Sequence, residues 1–195
     1  MPSYSWGRWS SERAEALDEI ENAHLSVGGS ARGRRYATQQ INHAYATLLS
    51  AQFQGFCRNL HSECAEHIIS LTPTGLQENV RSQYMWGRAL DRGNPNPGNI
   101  GSDFGRFGVV FWDRIRADHH LNANRQRSLE ELNAWRNAIV HQDFDPARLG
   151  GTIVLHLATV RQWRSSLDHL AVSFDSVMCS HLQALIGTPP WVPQL

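Results

Sequence analysis

Residues 41–71 read INHAYATLLSAQFQGFCRNLHSECAEHIISL. Leu49, Phe53, Phe56, Leu60, Cys64 and Leu71 fall on one stripe with the spacing of an α-helix face. The stripe predicts a helix over roughly 34–71, closed by LTPTG. A helix of about ten turns serves as the spine of a bundle.

The flanking segments also read as helices. SSERAEALDEIENAHL (10–25) predicts a helix starting after Ser10 or Ser11, with acidic residues in its first half where the helix dipole favours them. SVGGSARG (26–33) ends it. LQENVRSQYMWGRAL (76–90) is a shorter helix, and DRGNPNPGNIGSD (91–103) is the clearest loop. Ser102 or Asp103 is expected to cap the next helix, FGRFGVVFWDRIRAD (104–118), where Gly105 and Gly108 suggest close approach of another backbone. HHLNAN (119–124) connects to a helix from about Ser128 to Phe144, stopped by Asp145 and Pro146.

RLGGTIVLHLATV (148–160) alternates enough for a short strand, yet could run into the last helix (159–187), which turns Leu167, Leu170, Phe174, Val177 and Met178 inward. TPPWVPQL (188–195) is a Pro-rich, extended tail. The expected organisation is an N-terminal helix and linker over 1–33, a helical bundle over 34–187, and the tail over 188–195. The expected fold class is all-α, an up-and-down bundle of about five or six helices.

Composition narrows the function. Hydrophobic residues make up 41% of the 195, enough for a core. No apolar run is long enough to cross a membrane, and MPSYSWGRWSSERAE lacks a basic-then-apolar signal pattern, so a cytoplasmic protein is expected. With 18 basic and 18 acidic residues there is no global field to draw in nucleic acid. Every basic residue is Arg. A genome rich in G and C is the plainer explanation; a preference for bidentate phosphate binding is the functional one. Three cysteines without motif spacing argue against a disulfide framework.

Chemistry-bearing residues concentrate in SLEELNAWRNAIVHQDFDPA (128–147). An Arg followed five residues later by His is a cheap pattern, with about one match expected by chance in this composition. The chain holds three: Arg114/His119, Arg136/His141 and Arg164/His169. The first ends a fraying helix and the third sits mid-helix, so both read as solvated faces. Arg136/His141 differs, because Asn137 follows the Arg and the surrounding AWRNAIV is apolar.

On a wheel of 100° per residue, Leu129, Leu132, Trp135 and Ile139 point inward while Asn137 and His141 stack on the opposite face. Arg136 lies about 140° from His141, so it must reach in from the side, or a two-fold axis must complete the site with a second chain. Paired imidazoles can act as base and acid near neutral pH, and guanidiniums can hold a phosphodiester. No acidic cluster accompanies them, so no metal or other cofactor is implied. Such a set suits RNA, whose 2′-hydroxyl attacks its own phosphate; DNA lacks that nucleophile.

The residues also carry a resemblance. ELNAWRNAIVHQDF (131–144) is similar to the signature helix of the HEPN superfamily, in which Arg is followed by a polar residue and then by His; Arg136, Asn137 and His141 match it position by position. INHAYATLLSAQFQGFCRNL (41–60) resembles the family's long early helix, and LDRGNPNPGNIGSDFGRFG (90–108) resembles a segment of the bacterial RiboL-PSP-HEPN branch. The similarity spans roughly 36–180. It implies a helical bundle, a homodimer, and often metal-independent RNase activity on an RNA substrate, in a toxin or anti-phage effector with an antitoxin or other partner protein. Some members lack activity and act as dimerisation or nucleotide- or RNA-binding modules. The chain departs from the family twice. Asp143 stands where one branch carries a modifiable Tyr, and Gln52 and Gln54 stand where many members place an acid.

Three weaker features complete the survey. Cys57, His61, Cys64 and His67 are spaced along one helix and could suggest a metal, but core packing is the better account. The loop 91–103 could cradle phosphate, with Arg92 and Arg106 as candidate RNA contacts, although a simple connector is the plainer reading. Trp6, Trp9 and Trp191 could stack on bases, but more readily pack the chain ends onto the bundle.

Overall fold

A computed structural model describes residues 2–28 and 35–192. The chain is an all-α helical bundle, and no strand occurs among the described residues. Its helices are α1 (Tyr4–Arg8), a π-helical turn (Trp9–Arg13), α2 (Ala14–Gly28), α3 (Arg35–Ser70), α4 (Gln77–Met85), α5 (Pro97–Gly105), α6 (Phe111–Asp118), α7 (Asn122–His141) and α8 (Leu157–Ile186), with short 3₁₀ turns at Thr74–Leu76 and Ala89–Asp91. No described helix is long and apolar enough to cross a membrane.

α3 is the spine, packed against α1, α2, α4, α7 and α8. Leu49, Phe53, Phe56, Leu60 and Cys64 are fully buried along it. Leu71, expected on the same stripe, is exposed because the helix ends at Ser70. Phe174 of α8 forms the centre of the core. Its ring meets Phe53 of α3 at 5.8 Å, Phe104 of α5 at 6.1 Å, and Phe111 and Trp112 of α6 at 4.7 and 5.6 Å. Edge-on and tilted pairs of this kind add about 0.5–1.5 kcal/mol each beyond area burial.

Several boundaries differ from the sequence expectation. The N-terminal helix begins at Tyr4, ahead of Ser10 and Ser11. Ser3 Oγ accepts from Trp6 N, and the Glu63 carboxylate of α3 accepts from Tyr4 N and Ser5 N at 2.8 and 2.9 Å. That second cap comes from another helix and leaves no local signal. Residues 26–28 continue α2; residues 29–33 of the expected linker lie outside the described residues.

The loop 91–103 is shorter than expected, because Asn96 caps α5 through Asn99 N at 2.8 Å with Pro97 in the first turn. Asp103 caps nothing ahead of it. It is buried inside α5 and accepts from Ala89 N and Leu90 N, both at 2.8 Å. The single helix expected over 104–118 is interrupted, with α5 ending at Gly105 and α6 starting at Phe111. Gly108 turns the chain at φ +78°, and neither Gly105 nor Gly108 has a neighbour that a Cβ would meet. No backbone fills the Cβ side of either glycine; Gly108 serves the turn, its N–H donating to Gly105 O at 2.9 Å.

α7 starts at Asn122, inside the expected connector. Asn122 is buried and donates to Ile115 O and Ser173 Oγ at 2.7 and 2.9 Å. The ambiguous stretch 148–160 resolves into turns leading to α8 at Leu157. Trp191 of the tail is buried, its ring 5.5 Å from His67, while 193–195 lie outside the described residues.

Arg164, read as solvated, instead ties α8 to α2 and α3 through Asp18 at 2.7 Å and the Tyr45 hydroxyl at 3.2 Å. His61 is fully buried and its Nε2–H donates to Asp103 O at 3.1 Å. Burial, helped by the nearby Arg88 charge, pushes its pKa down to about 4.

Two measurements check this core. Phe174→Ala should lower stability by about 3–5 kcal/mol in urea denaturation, the cost of a large aromatic cavity. His61 should make folding acid-sensitive. An unfolded His holds its proton below about pH 6.5 while the folded ring stays neutral until about 4, so stability falls with acidification across that window by up to about 1.4 kcal/mol per pH unit. His61→Gln retains a donor toward Asp103 O and should remove that part of the slope. Asp168 and Asp175, raised by burial, act in the opposite sense and are common to both proteins.

Candidate active site

α7 carries the Arg136–Asn137–His141 set in its last turns, and what holds α7 in place also positions the site. Leu129, Leu132 and Trp135 are buried and Ile139 packs against the core from its edge. The helix stops immediately after His141 because Gln142 adopts the left-handed conformation, φ 54°, and Asp143 N reaches back to Ala138 O at 3.0 Å. A non-glycine residue there carries a strain of about 1–2 kcal/mol. The Gln142 side chain offsets part of it by donating to Ile139 O at 2.7 Å. Two residues on, Phe144 stacks on buried His43 of α3, with ring centroids 5.3 Å apart. Burial lowers the His43 pKa and so favours its neutral ring.

Asn137 and His141 are both exposed and lie one turn apart. Together with Ala134, Ala138, Asp143, Arg148 and Leu149 they line a groove of about 620 Å³. Arg136 is not in that lining. Its guanidinium instead leans on Asn137, Nη1 donating to Oδ1 at 3.3 Å. No carboxylate pairs with Arg136 among the described residues, so its charge is uncommitted.

The Asn-rich loop is part of the site's frame. Asn94 Nδ2 donates to Asn137 Oδ1. The loop is held from three helices. Gln54 of α3 donates to Leu90 O and Gly93 O at 2.7 and 2.8 Å, Asn99 of α5 to Asn94 O at 2.8 Å, and buried Asn133 of α7 to Pro95 O at 3.1 Å. Asn137 Oδ1 thus accepts from both sides, leaving its amide Nδ2 to donate outward.

The other candidates separate. Arg106 is committed to structure: Nη1 donates to Gln83 O, Tyr84 O and Trp86 O, and Nη2 to Gly87 O at 3.0 Å. Arg92 is exposed and lies over Gly87, away from the groove. Gln52 accepts from Arg13 Nη1 at 2.6 Å, that guanidinium lying flat on Gly55. With Gln54 holding the loop, neither glutamine lines the groove. Cys57, His61 and Cys64 are core residues, and among the described residues no three His, Cys, Asp or Glu side chains gather to hold a metal.

Arg148 was missed in the sequence. It sits on the turn after α7, where no periodicity marks it, and its loose ion pairs with Asp143 (3.9 Å) and Asp145 (3.4 Å) are largely exposed. Such pairs are weak, so the guanidinium is available to the groove.

Compared with family models, curated proteins and solved structures, the chain matches none.

Gln54→Ala would leave two carbonyls without their donor. We expect a loss of about 1–3 kcal/mol and faster amide exchange over 92–96, with α8 exchange changed least.

Proposed function

We propose that this chain is a metal-independent endoribonuclease of HEPN type, acting as a homodimer in the cytoplasm as a toxin or anti-phage effector. One observation carries the reading: His141 and Asn137 share one accessible groove with Arg148, while Arg136 stands beside Asn137 with no acid paired to it among the described residues.

In this chemistry His141 takes the proton from the ribose 2′-hydroxyl as its oxygen attacks the adjacent phosphorus. The P–O5′ bond breaks, leaving a 2′,3′-cyclic phosphate, and the departing 5′-oxygen receives a proton from a second imidazolium, that of the other copy. Asn137 Nδ2 and the Arg136 guanidinium supply donors for the charge gathering on the phosphoryl oxygens.

A second reading is a non-catalytic dimerisation or nucleotide- or RNA-binding module. The position of Arg136 outside the groove lining and the zero net charge favour it. RNA cleavage in EDTA separates the two. We expect His141→Ala to reduce cleavage about 10²–10⁴-fold with an unchanged melting temperature, since the side chain is exposed. Equal rates in both proteins would leave only the module.

A further inference from the structure

Beyond the α7 groove lies a second cavity, of about 240 Å³, whose walls include Glu131, Trp135, Trp163, Thr159 and Arg148. It is smaller than the pockets of about 300–1,000 Å³ that enclose drug-sized ligands, and suits a single planar ring system. Arg148 and Leu149 line both spaces, so the cavity and the groove meet across one turn.

That turn is built to hold its shape. Gly150 and Gly151 take φ values of +74° and +87°, conformations other residues rarely adopt, and Gly151 N closes on Pro146 O at 2.8 Å. On the far side the chain is pinned to α3. Asn42 donates to Leu155 O at 2.8 Å and Gln39 to Ile153 O at 3.2 Å. Glu131 is oriented by the Trp163 indole, whose Nε1–H donates to Oε2 at 3.1 Å. Oε1 has no hydrogen bond among the described residues.

We propose that this cavity is a guanine-binding subsite beside the cleavage groove, an assignment that rests on the ribonuclease reading of that groove. A carboxylate held at one oxygen by Trp163, and a guanidinium whose exposed ion pairs with Asp143 and Asp145 are loose enough to exchange, ask for a base with adjacent donors on one edge and adjacent acceptors on another. Guanine has both: N1–H and the N2 amino group face a carboxylate, and O6 and N7 accept from an Arg fork. Adenine places the N1 acceptor against the carboxylate, and the pyrimidines lack an N7. A phosphodiester in the groove would then have a neighbouring base within reach of the cavity, and cleavage would select guanine at that position.

Two readouts test it. Calorimetric titration with guanosine 5′-monophosphate and adenosine 5′-monophosphate should show the guanine nucleotide bound about tenfold or more tightly. Glu131→Gln keeps an oxygen for the Trp163 indole but turns half the carboxylate into a donor, and should abolish the preference. Arg148→Ala, at an exposed position, should weaken guanosine 5′-monophosphate binding. In the second readout, RNA oligonucleotides differing by one guanine or adenine should be cut unequally. RNA cleavage without base preference, or equal binding of the two nucleotides, overturns the subsite and leaves the nuclease standing. Selective guanine-nucleotide binding by a protein that cuts no RNA supports the subsite and overturns the nuclease.

Discussion

The ring of Phe174 on α8 meets rings from α3, α5 and α6 at once, and the placement of the short helices follows from that contact. α5 and α6 are only nine and eight residues long, too short to be stable alone. They are helical because Phe104 and Phe111 are drawn into this cluster, where they also stack on each other at 4.4 Å. With α5 seated, Asp103 is buried beneath the turn at 89–91 and ties down its backbone N–H groups. The loop 92–96 is then delivered against α7.

The site inherits its order from this arrangement. Asn137 sits on an exposed helix face, where a side chain is usually free to rotate. Here its oxygen is held between Asn94 and Arg136, and Asn94 is held in turn by a loop anchored to α3, α5 and α7. His141 differs, with its backbone fixed by the helix end and its side chain open to the groove. A fixed amide beside an accessible imidazole suits a site that orients a substrate while moving a proton.

Much of the fold was legible from hydrophobic spacing. The stripe on α3, the inward residues of α7 and α8, and the all-helical class follow from the 3.6-residue period, because one face of each long helix must meet the core. The errors cluster where a partner distant in sequence does the work. Glu63 caps a helix some sixty residues upstream, Asp103 serves a turn before it, and Arg164 and Arg106 are drawn from solvent by an acid, a hydroxyl or carbonyls elsewhere in the chain. In the loop the signal was present, since Asn followed by Pro is a helix start. The density of glycine and proline outweighed it.

For the candidate site, the sequence alone determined that Asn137 and His141 share a face and that Arg136 does not, since 100° per residue is a local property of any α-helix. Which residues would join that face could be decided only by tertiary structure. Arg148 reaches the groove because a Pro–Gly turn folds the chain back beside α7, and Arg106 is lost to it because the carbonyls ending α4 lie closer. Neither outcome has a periodicity to announce it, because each depends on where the backbone of another element comes to rest.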